Sequence, residues 1–332
     1  MSQENFHILL SSAGRRVEVL RLFQRSLEAS PYAGRVLATD MSRSAPAFHA
    51  ADEGFQVPRC TDAAYIPTMM ELCRAQDVRL LVPLIDTELA TYAEHRDAFE
   101  AQGTRVMVSG PETIAITRDK TRFHHFLKQA GLPTVEQWEA SELLAASPSW
   151  AEPRIAKLPG GSCSVGIRYL HSQEDLASAT QADPSYIVQS LAPGIEYTIS
   201  AFVDQEGQAR ALVPRRRIEV RAGEVSKGLT VRQAEVSALA RRVLEALPDP
   251  RGVMNLQIFH CAETGSLNVI EVNARFGGGY PLAHEAGVDF PGWLIEETAT
   301  GTCADTDDRW RDDVVMLRYD AAIFLSADEA DV

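Results

Sequence analysis

The stretch Val269–Gly279, VIEVNARFGGG, sets an acid, an amide and a guanidinium at alternate positions of an apolar segment and follows them with three glycines. A strand has a side-chain period of two. Glu271, Asn273 and Arg275 therefore share one face, about 6.6 Å apart step by step, while Ile270, Val272 and Ala274 share the other. A carboxylate beside an amide oxygen suits a hard cation such as Mg²⁺, which takes one or two carboxylates together with phosphate oxygens. The upstream segment MNLQIF pairs with LNVIEVNAR across a short turn, which brings Gln257 to the same face as a third oxygen donor. The competing reading is a half-exposed sheet that alternates polar residues for solubility. Gly277, Gly278 and Gly279 let backbone amides approach an anion without Cβ obstruction, although a glycine triplet taken alone also describes a flexible turn.

Further cations accompany this strand. Lys157 ends the apolar run PRIAKL and leads into PGGSCSVGI, where Gly160, Gly161 and Ser162 suit a loop folded over phosphates while the ammonium supplies charge. A mobile surface loop is the plainer alternative, and the spacing matches neither a P-loop nor GxGxxG. Lys120, in TRDKTRF, opens a helical stretch and in isolation reads as solvated. PRRRIEVR places Arg215, Arg217 and Arg221 at period-two positions, a fork for a carboxylate or phosphate unless surface acids of the same chain pair with them. SSAGRR reads as a tight turn with two solvated arginines. His124 and His125 show no metal spacing and read as structural.

Composition narrows the partners. The chain of 332 residues carries 32 Lys plus Arg against 46 Asp plus Glu, a net charge of −14. Broad contact with nucleic acid or an anionic membrane needs a basic surface and is not expected, so any anionic ligand must be held by local clusters of cations. Five widely spaced cysteines form no CxxC pair, which suggests neither a disulfide framework nor a zinc site. No signal-peptide pattern and no run of ~18 apolar residues occurs, so the expectation is a soluble, cytoplasmic protein.

The elements that must position these residues follow from periodicity. FHILLSS, GRVLATD, VRLLVPLID and TRVMVS read as buried strands, with helical stretches at RRVEVLRLFQRSLEAS and from Thr87 to Ala101 between them, the pattern of a parallel sheet with crossover helices. ETIAITRDKTRFHHFLKQAGLP reads as a helical stretch closed by Gly131 and Pro133, with an amphipathic helix opening from Thr121. Residues from Trp138 to Leu191 give strand, glycine-rich loop, strand, helix and strand. Antiparallel strands with a turn at DQEGQ come next, then the helix RQAEVSALARRVLEAL and the hairpin that ends in VIEVNAR. The acidic CADTDDRWRDD reads as a solvated loop.

In order and spacing, RDKTRFHHFLKQAGLP, IAKLPGGSCSVGI, IVQSLAPGIEY, MNLQIF and VIEVNARFGGG resemble the ATP-grasp superfamily, most closely the synthetase units of the carbamoyl-phosphate synthase large subunit. The resemblance runs from the N-terminal αβ region to about Thr300. It implies a mixed α/β and α+β architecture: a Rossmann-like parallel αβ domain over residues 1–112, then an ATP-grasp fold of two α+β subdomains, 113–192 and 193–332, that clasp ATP. It also implies roles. Lys120 and Lys157 match the two basic residues on the ATP phosphates; Gln189, Ser190 and Leu191 match the hinge that reads adenine through backbone groups; Glu196 matches the acid on the ribose. Gln257, Glu271 and Asn273 match the Mg²⁺ ligands, with Mn²⁺ an acceptable substitute, and Arg275 matches the arginine beside the transferred phosphate. Arg215, Arg217, Gly277 and Gly278 are then the candidate substrate contacts. Gln257 stands where many members have Glu, the loop is poorer in glycine than many, and only one synthetase unit fits the chain. The expected activity is an ATP- and Mg²⁺-dependent ligase that joins a small carboxylate to an amine through an acyl phosphate, acting on small molecules, with a homodimer left open. An NAD-dependent oxidoreductase is the rival enzyme class, opposed by the missing GxGxxG, and a catalytically silent nucleotide-binding module is the rival binding class.

Overall fold

The computed structural model describes residues 4–147, 149–161, 166–221, 223–303 and 309–331. The apolar runs of the first third become the parallel strands β1 (His7–Ser11), β2 (Val36–Asp40), β3 (Glu53–Gln56), β4 (Val78–Pro83) and β5 (Arg105–Val106), in the order β3-β2-β1-β4-β5. Strand β1, β2 and β4 residues are buried almost throughout, as a parallel sheet covered by helices on both faces requires. The four-residue edge strand β3 carries too little apolar signal to stand out in the sequence, and TRVMVS contributes only Arg105 and Val106 to the ladder. The strand order reverses between β1 and β4. The loops beyond their carboxyl ends, residues 12–16 and 84–88, therefore open at the topological switch point, where open α/β sheets bind ligands.

The second third forms a small antiparallel sheet of β6 (Gln137–Glu139), β7 (Arg154–Lys157), β8 (Arg168–Leu170) and β9 (Ile187–Ser190), ordered β6-β9-β7-β8. It has a core of its own built from Leu143, Ala156, Leu170, Leu176 and Val188 among others. The last part forms a six-stranded antiparallel sheet. Its strands are β10 (Ile195–Val203), β11 (Ala209–Arg221), β12 (Glu224–Thr230), β13 (Gly252–Cys261), β14 (Ser266–Asn273) and β15 (Val315–Leu317), ordered β14-β13-β10-β11-β12-β15. The helix Ala234–Ala246 lays Val236, Leu239 and Val243 against one face of this sheet, next to Ile199, Leu256 and Val272. The opposite face packs Phe202, Val213 and Val253 into a second core with the parallel sheet and carries polar residues over the rest. Two apolar cores each draw residues from both the parallel sheet and the six-stranded sheet, so these two layers are packed as one body.

One expected element divides. The stretch from Glu112 to Gln129 is two helices, Pro111–Arg118 and Lys120–Gln129, broken at Asp119. Asp119 adopts extended backbone, and its Oδ1 accepts from the amides of Thr121 and Arg122 at 2.8 and 3.0 Å. An Asp N-cap satisfies two of the orphan donors of a new helix. The acidic loop also differs from expectation: Trp310 is buried and Arg232 lies over its ring at 4.2 Å, while residues 304–308 fall outside the described residues.

Candidate active site

Strand register assembles the site. Across the six-stranded sheet Glu271 faces Gln257, Gln257 faces Thr198, Thr198 faces Arg215 and Arg215 faces Thr230. Directly opposed residues share a face, so this transverse row puts Glu271, Gln257 and a guanidinium on one surface. The next row holds Asn273, Asn255 and Ser200. A register shift between Gln257 and Ile258 pairs Ile258 with Val269, bulging Ile270 out of the simple alternation without moving Glu271 or Asn273 to the other side. Asn273 Nδ2 donates to Glu271 Oε1 at 3.0 Å, which fixes both side chains and leaves the second carboxylate oxygen and the amide oxygen outside that bond. Two neutral amides and one carboxylate match a hard cation that also draws oxygens from a phosphate. No group of three His, Cys, Asp or Glu suited to a metal occurs among the described residues, so the amides are indispensable to any such site.

Two lysines approach from the small sheet and the capped helix. Lys157 ends β7 and Lys120 is the first residue after the Asp119 cap. Burial lowers the pKa of each below the ordinary lysine value, and the nearby Glu271 carboxylate partly restores both. The two ammoniums and Glu271 therefore lie within one another's field, as an anion-binding group requires. Lys120 is not solvated: its Nζ donates to the carbonyl of Gly161, and its amide donates to Pro159 O at 3.1 Å. The loop carrying Gly160 and Gly161 is thus tied to Lys120, while Ser162 lies outside the described residues.

Gln189 is buried in β9 and its Nε2 donates to Gln137 Oε1 at 2.8 Å. Ser190 still pairs with Glu136, through its amide to Glu136 O at 3.0 Å and through its hydroxyl, which accepts from Glu136 N at 3.2 Å. Leu191, 40% exposed, is the first residue past the strand. Glu196, four residues on from Ala192, bonds Arg217 Nη1 at 2.8 Å.

The three arginines of β11 part company. Arg215 is 2% exposed and donates from Nη2 to Ser200 Oγ at 3.1 Å and Asn255 Oδ1 at 3.3 Å, with Nε unpartnered. It pairs with no carboxylate among the described residues; burial and the neighbouring Arg217 push its pKa down to about 10. Arg217 is half-buried on Glu196. Arg221 does not join them: register shifts at Glu219 break the alternation, and Arg221 lies exposed with Asp320 3.4 Å away. The glycine triplet makes room for these side chains. A Cβ on Gly277 would meet Asn255 Oδ1 at 2.5 Å, one on Gly278 would meet Arg16 Nη1 at 2.6 Å, and one on Gly279 would collide with Arg215 Nη1. Flexibility is not what the triplet supplies; close approach is.

The parallel sheet closes the site from above. Arg275, 9% exposed, donates from Nη2 to Asp86 Oδ2 at 2.6 Å, and its carbonyl accepts from Asn255 Nδ2 at 2.6 Å. Arg16 is not a solvated turn residue: its Nη1 lies 3.4 Å from Glu224 Oε1, and Glu224 also accepts from Arg318 Nη1 at 2.8 Å. Burial raises the Glu224 pKa, but Arg16 and Arg318 more than offset it and hold the carboxyl below its ordinary range. The sequence reading missed Asp86, Arg118, Arg16, Glu88 and Glu224. For Arg16, Asp86 and Glu88 the one local signal is position, directly after β1 and β4 at the switch point; Arg118, at a helix end, and Glu224, at the start of β12, have no such signal.

Comparison with known proteins bears on the family models and the fold. A family model described as the N-terminal domain of PylC-like proteins matches residues 8–107, and one described as ATP-grasp in the biosynthetic pathway with Ter operon matches residues 182–319. The ATP-grasp model thus covers the last part of the chain, and the likeness to solved structures is one of fold. Among solved structures this chain is similar in fold to the biotin carboxylase domain of 2-oxoglutarate carboxylase from Hydrogenobacter thermophilus, at TM-score 0.73 and 15% identity over 95% of this chain and 74% of that one. It is also similar to an L-amino acid ligase from Bacillus licheniformis, at TM-score 0.67 and 16% identity over 90% and 75% of the two chains. A curated relative, the D-alanine–D-alanine ligase of Lacticaseibacillus casei, is 24% identical over 163 residues, 47% of this chain and 43% of the relative. The match thus spans less than half of that relative. Among the described residues no helix is long and apolar enough to cross a membrane.

Proposed function

We propose that this protein is an ATP- and Mg²⁺-dependent ligase that joins a small carboxylate to an amine and releases ADP and phosphate. The observation that carries this reading is one sheet face on which Glu271, Asn273 and Gln257 adjoin two half-buried lysines and a buried guanidinium that has no acid partner among the described residues. The curated relative and the fold neighbours, named as ligases and carboxylases, support the same reaction class. Residues 1–112, 113–192 and 193–332 then act as a substrate-facing αβ domain and the two halves of an ATP clasp, with adenine at Gln189–Leu191 and the ribose at Glu196. Holding the ribose requires Glu196 to exchange Arg217 for the sugar or to serve both.

Glu271, Asn273 and Gln257 would hold Mg²⁺, which supplies neutralisation of phosphate charge. Lys157, Lys120 and Arg275 align the γ-phosphoryl group and stabilise the charge that spreads over its oxygens, the main demand of phosphoryl transfer. Arg215, with Arg217, Gly277 and Gly278 beside it, holds the substrate carboxylate and so acquires the anion its burial calls for. An oxygen of the carboxylate forms a bond to the γ-phosphorus as the bond to ADP breaks. The amine nitrogen then bonds to the acyl carbon, the carbon–oxygen bond to phosphate breaks, phosphate departs with the electron pair and the amine proton passes to solvent or phosphate.

Glu271→Ala removes the only carboxylate of the metal set. The fold is expected to persist, by circular dichroism and thermal melting, while Mg²⁺-dependent ADP formation over a panel of amino acid pairs is lost. Retention of wild-type Mg²⁺ dependence in that variant rejects the assignment.

A further inference from the structure

Above the reaction face lies a cavity of about 340 Å³ between the loops after β3 and β4 and the helices Leu89–Ala101 and Pro111–Arg118. Its lining includes Asp86, Glu94 and Arg118, with Ala90, Ile114 and Ala115 as apolar walls. A volume of this order suits one small ligand rather than a peptide. The polar groups on its wall are incompletely matched. Asp86 is 7% exposed; its Oδ2 accepts from Arg275, but its Oδ1 is buried with no hydrogen-bond partner. Arg118 Nη1 stands 3.9 Å from that oxygen, too far for a hydrogen bond, and Arg118 makes no other hydrogen bond among the described residues. The buried Asp86 oxygen has lost the solvation it had in water, while the half-buried Arg118 keeps part of its own; a ligand with both charges matches the two.

The cavity is also in the right place. Asp86 stands on the loop after β4, at the switch point, and its Arg275 partner continues the strand that carries Glu271 and Asn273. Asp86 and Arg118 both act electrostatically on Lys120, as Glu271 does, so cavity and phosphate group are neighbours. Glu94, exposed on the lining, adds negative charge that favours the approach of a cation.

We infer that this cavity seats the amine substrate, and that this substrate is an α-amino acid with an apolar side chain. Its ammonium binds Asp86 Oδ1, its carboxylate binds Arg118 and its side chain lies against Ala90, Ile114 and Ala115. The inference rests on the ligase reading for the name of the substrate, but binding is measurable without turnover. The zwitterion replaces one ion pair too long to be hydrogen-bonded by two charge-assisted contacts. An amine lacking a carboxylate leaves Arg118 unmatched, and a carboxylic acid lacking an amine leaves Asp86 Oδ1 unmatched.

Calorimetric titration of the full chain with L-alanine, L-valine and L-leucine, with and without saturating MgADP, tests this directly. At least one amino acid is expected to bind. For the best of them, taking L-leucine as the example, leucinamide and isocaproate are each expected to bind about tenfold more weakly or worse, the loss of one charge-assisted contact. Arg118→Gln should erase the difference between leucine and leucinamide while isocaproate stays weak. Ala115→Trp, which fills the cavity, should abolish amino acid binding and leave MgADP binding intact. Binding of none of the three amino acids, or equal binding by wild type and both variants, overturns the inference. Failure of the wild type to bind MgADP counts against the ligase reading instead, because the amino acid titrations are read independently.

Discussion

Two buried ionisable groups, Glu88 beside the end of β4 and Arg215 on β11, are treated in opposite ways. Glu88, fully buried beside the β4 end, accepts from Tyr65 OH at 2.7 Å, Ser12 Oγ at 2.8 Å and the amides of Leu84 and Ile85 at 2.8 and 3.2 Å. Burial still raises its pKa, but every oxygen has donors and the network locks the β1 and β4 loops to one another. Arg215 is as deeply buried, yet it has two neutral acceptors, an unpartnered Nε and a cationic neighbour. A charge that the fold satisfies is scaffold. A charge that the fold buries and leaves short of counter-charge costs stability in the empty protein, and that cost is recovered only when an anion arrives. The same test separates Arg221, solvated and unimportant to the cleft, from its neighbours on the strand.

The sharpest way to break this comparison is Arg215→Met. It is expected to lower kcat/KM by about 100-fold or more, the order of loss when one partner of a buried charge pair is removed. Thermal melting of the ligand-free variant should match or exceed the wild type, because an uncompensated buried cation has been replaced by a side chain of similar length. A large drop in melting temperature would place Arg215 with the scaffold. Glu88→Gln is the mirror case. A neutral amide offers one acceptor oxygen to four donors and brings its own NH₂ against them, so chemical denaturation should show a loss of about 2–4 kcal/mol. Full stability in that variant would mean the network is dispensable.

Gly279→Ala is expected to act between these two. The new Cβ collides with Arg215, so the guanidinium must move, raising KM for the carboxylate about tenfold at a stability cost of about 1–3 kcal/mol. An unchanged KM would separate Arg215 from substrate binding. The smallest effect concerns pH. Lys157 and Lys120 have pKa values lowered by burial, so in the free protein they lose their charge below the ordinary lysine value of 10.5. MgATP affinity should therefore decline as pH rises through that lowered value. The sign for folding is opposite: the unfolded chain holds these protons to higher pH, so their contribution to stability rises between the lowered value and 10.5. Comparison of wild type with Lys157→Met across this window reads both slopes, and a flat affinity profile up to pH 10.5 contradicts the burial of these ammoniums.

Local periodicity was enough to read the alternation of strands and helices in the first third, the hairpin that pairs Gln257 with Glu271, and the strand end at Lys157, because these depend on contacts near in sequence or on a two-residue period. The helix break at Asp119 was within reach of the same reading, since an Asp just before a new helix is a capping signal. Residue type and order also narrowed the chemistry: one carboxylate with two amides in register pointed to a hard cation, and lysines flanking small residues pointed to phosphate. What separates Arg215 from Arg221 was not legible, because a bulge at Glu219 resets the face of the strand and no local pattern announces it. Nor could the sequence join Asp86 to Arg275 or Arg16 to Glu224, pairs separated by 189 and about 200 residues. Side-chain period specifies which face of a strand a residue occupies; only the packing of the parallel sheet against the six-stranded sheet decides what that face meets, and with it which charges are satisfied and which await a ligand.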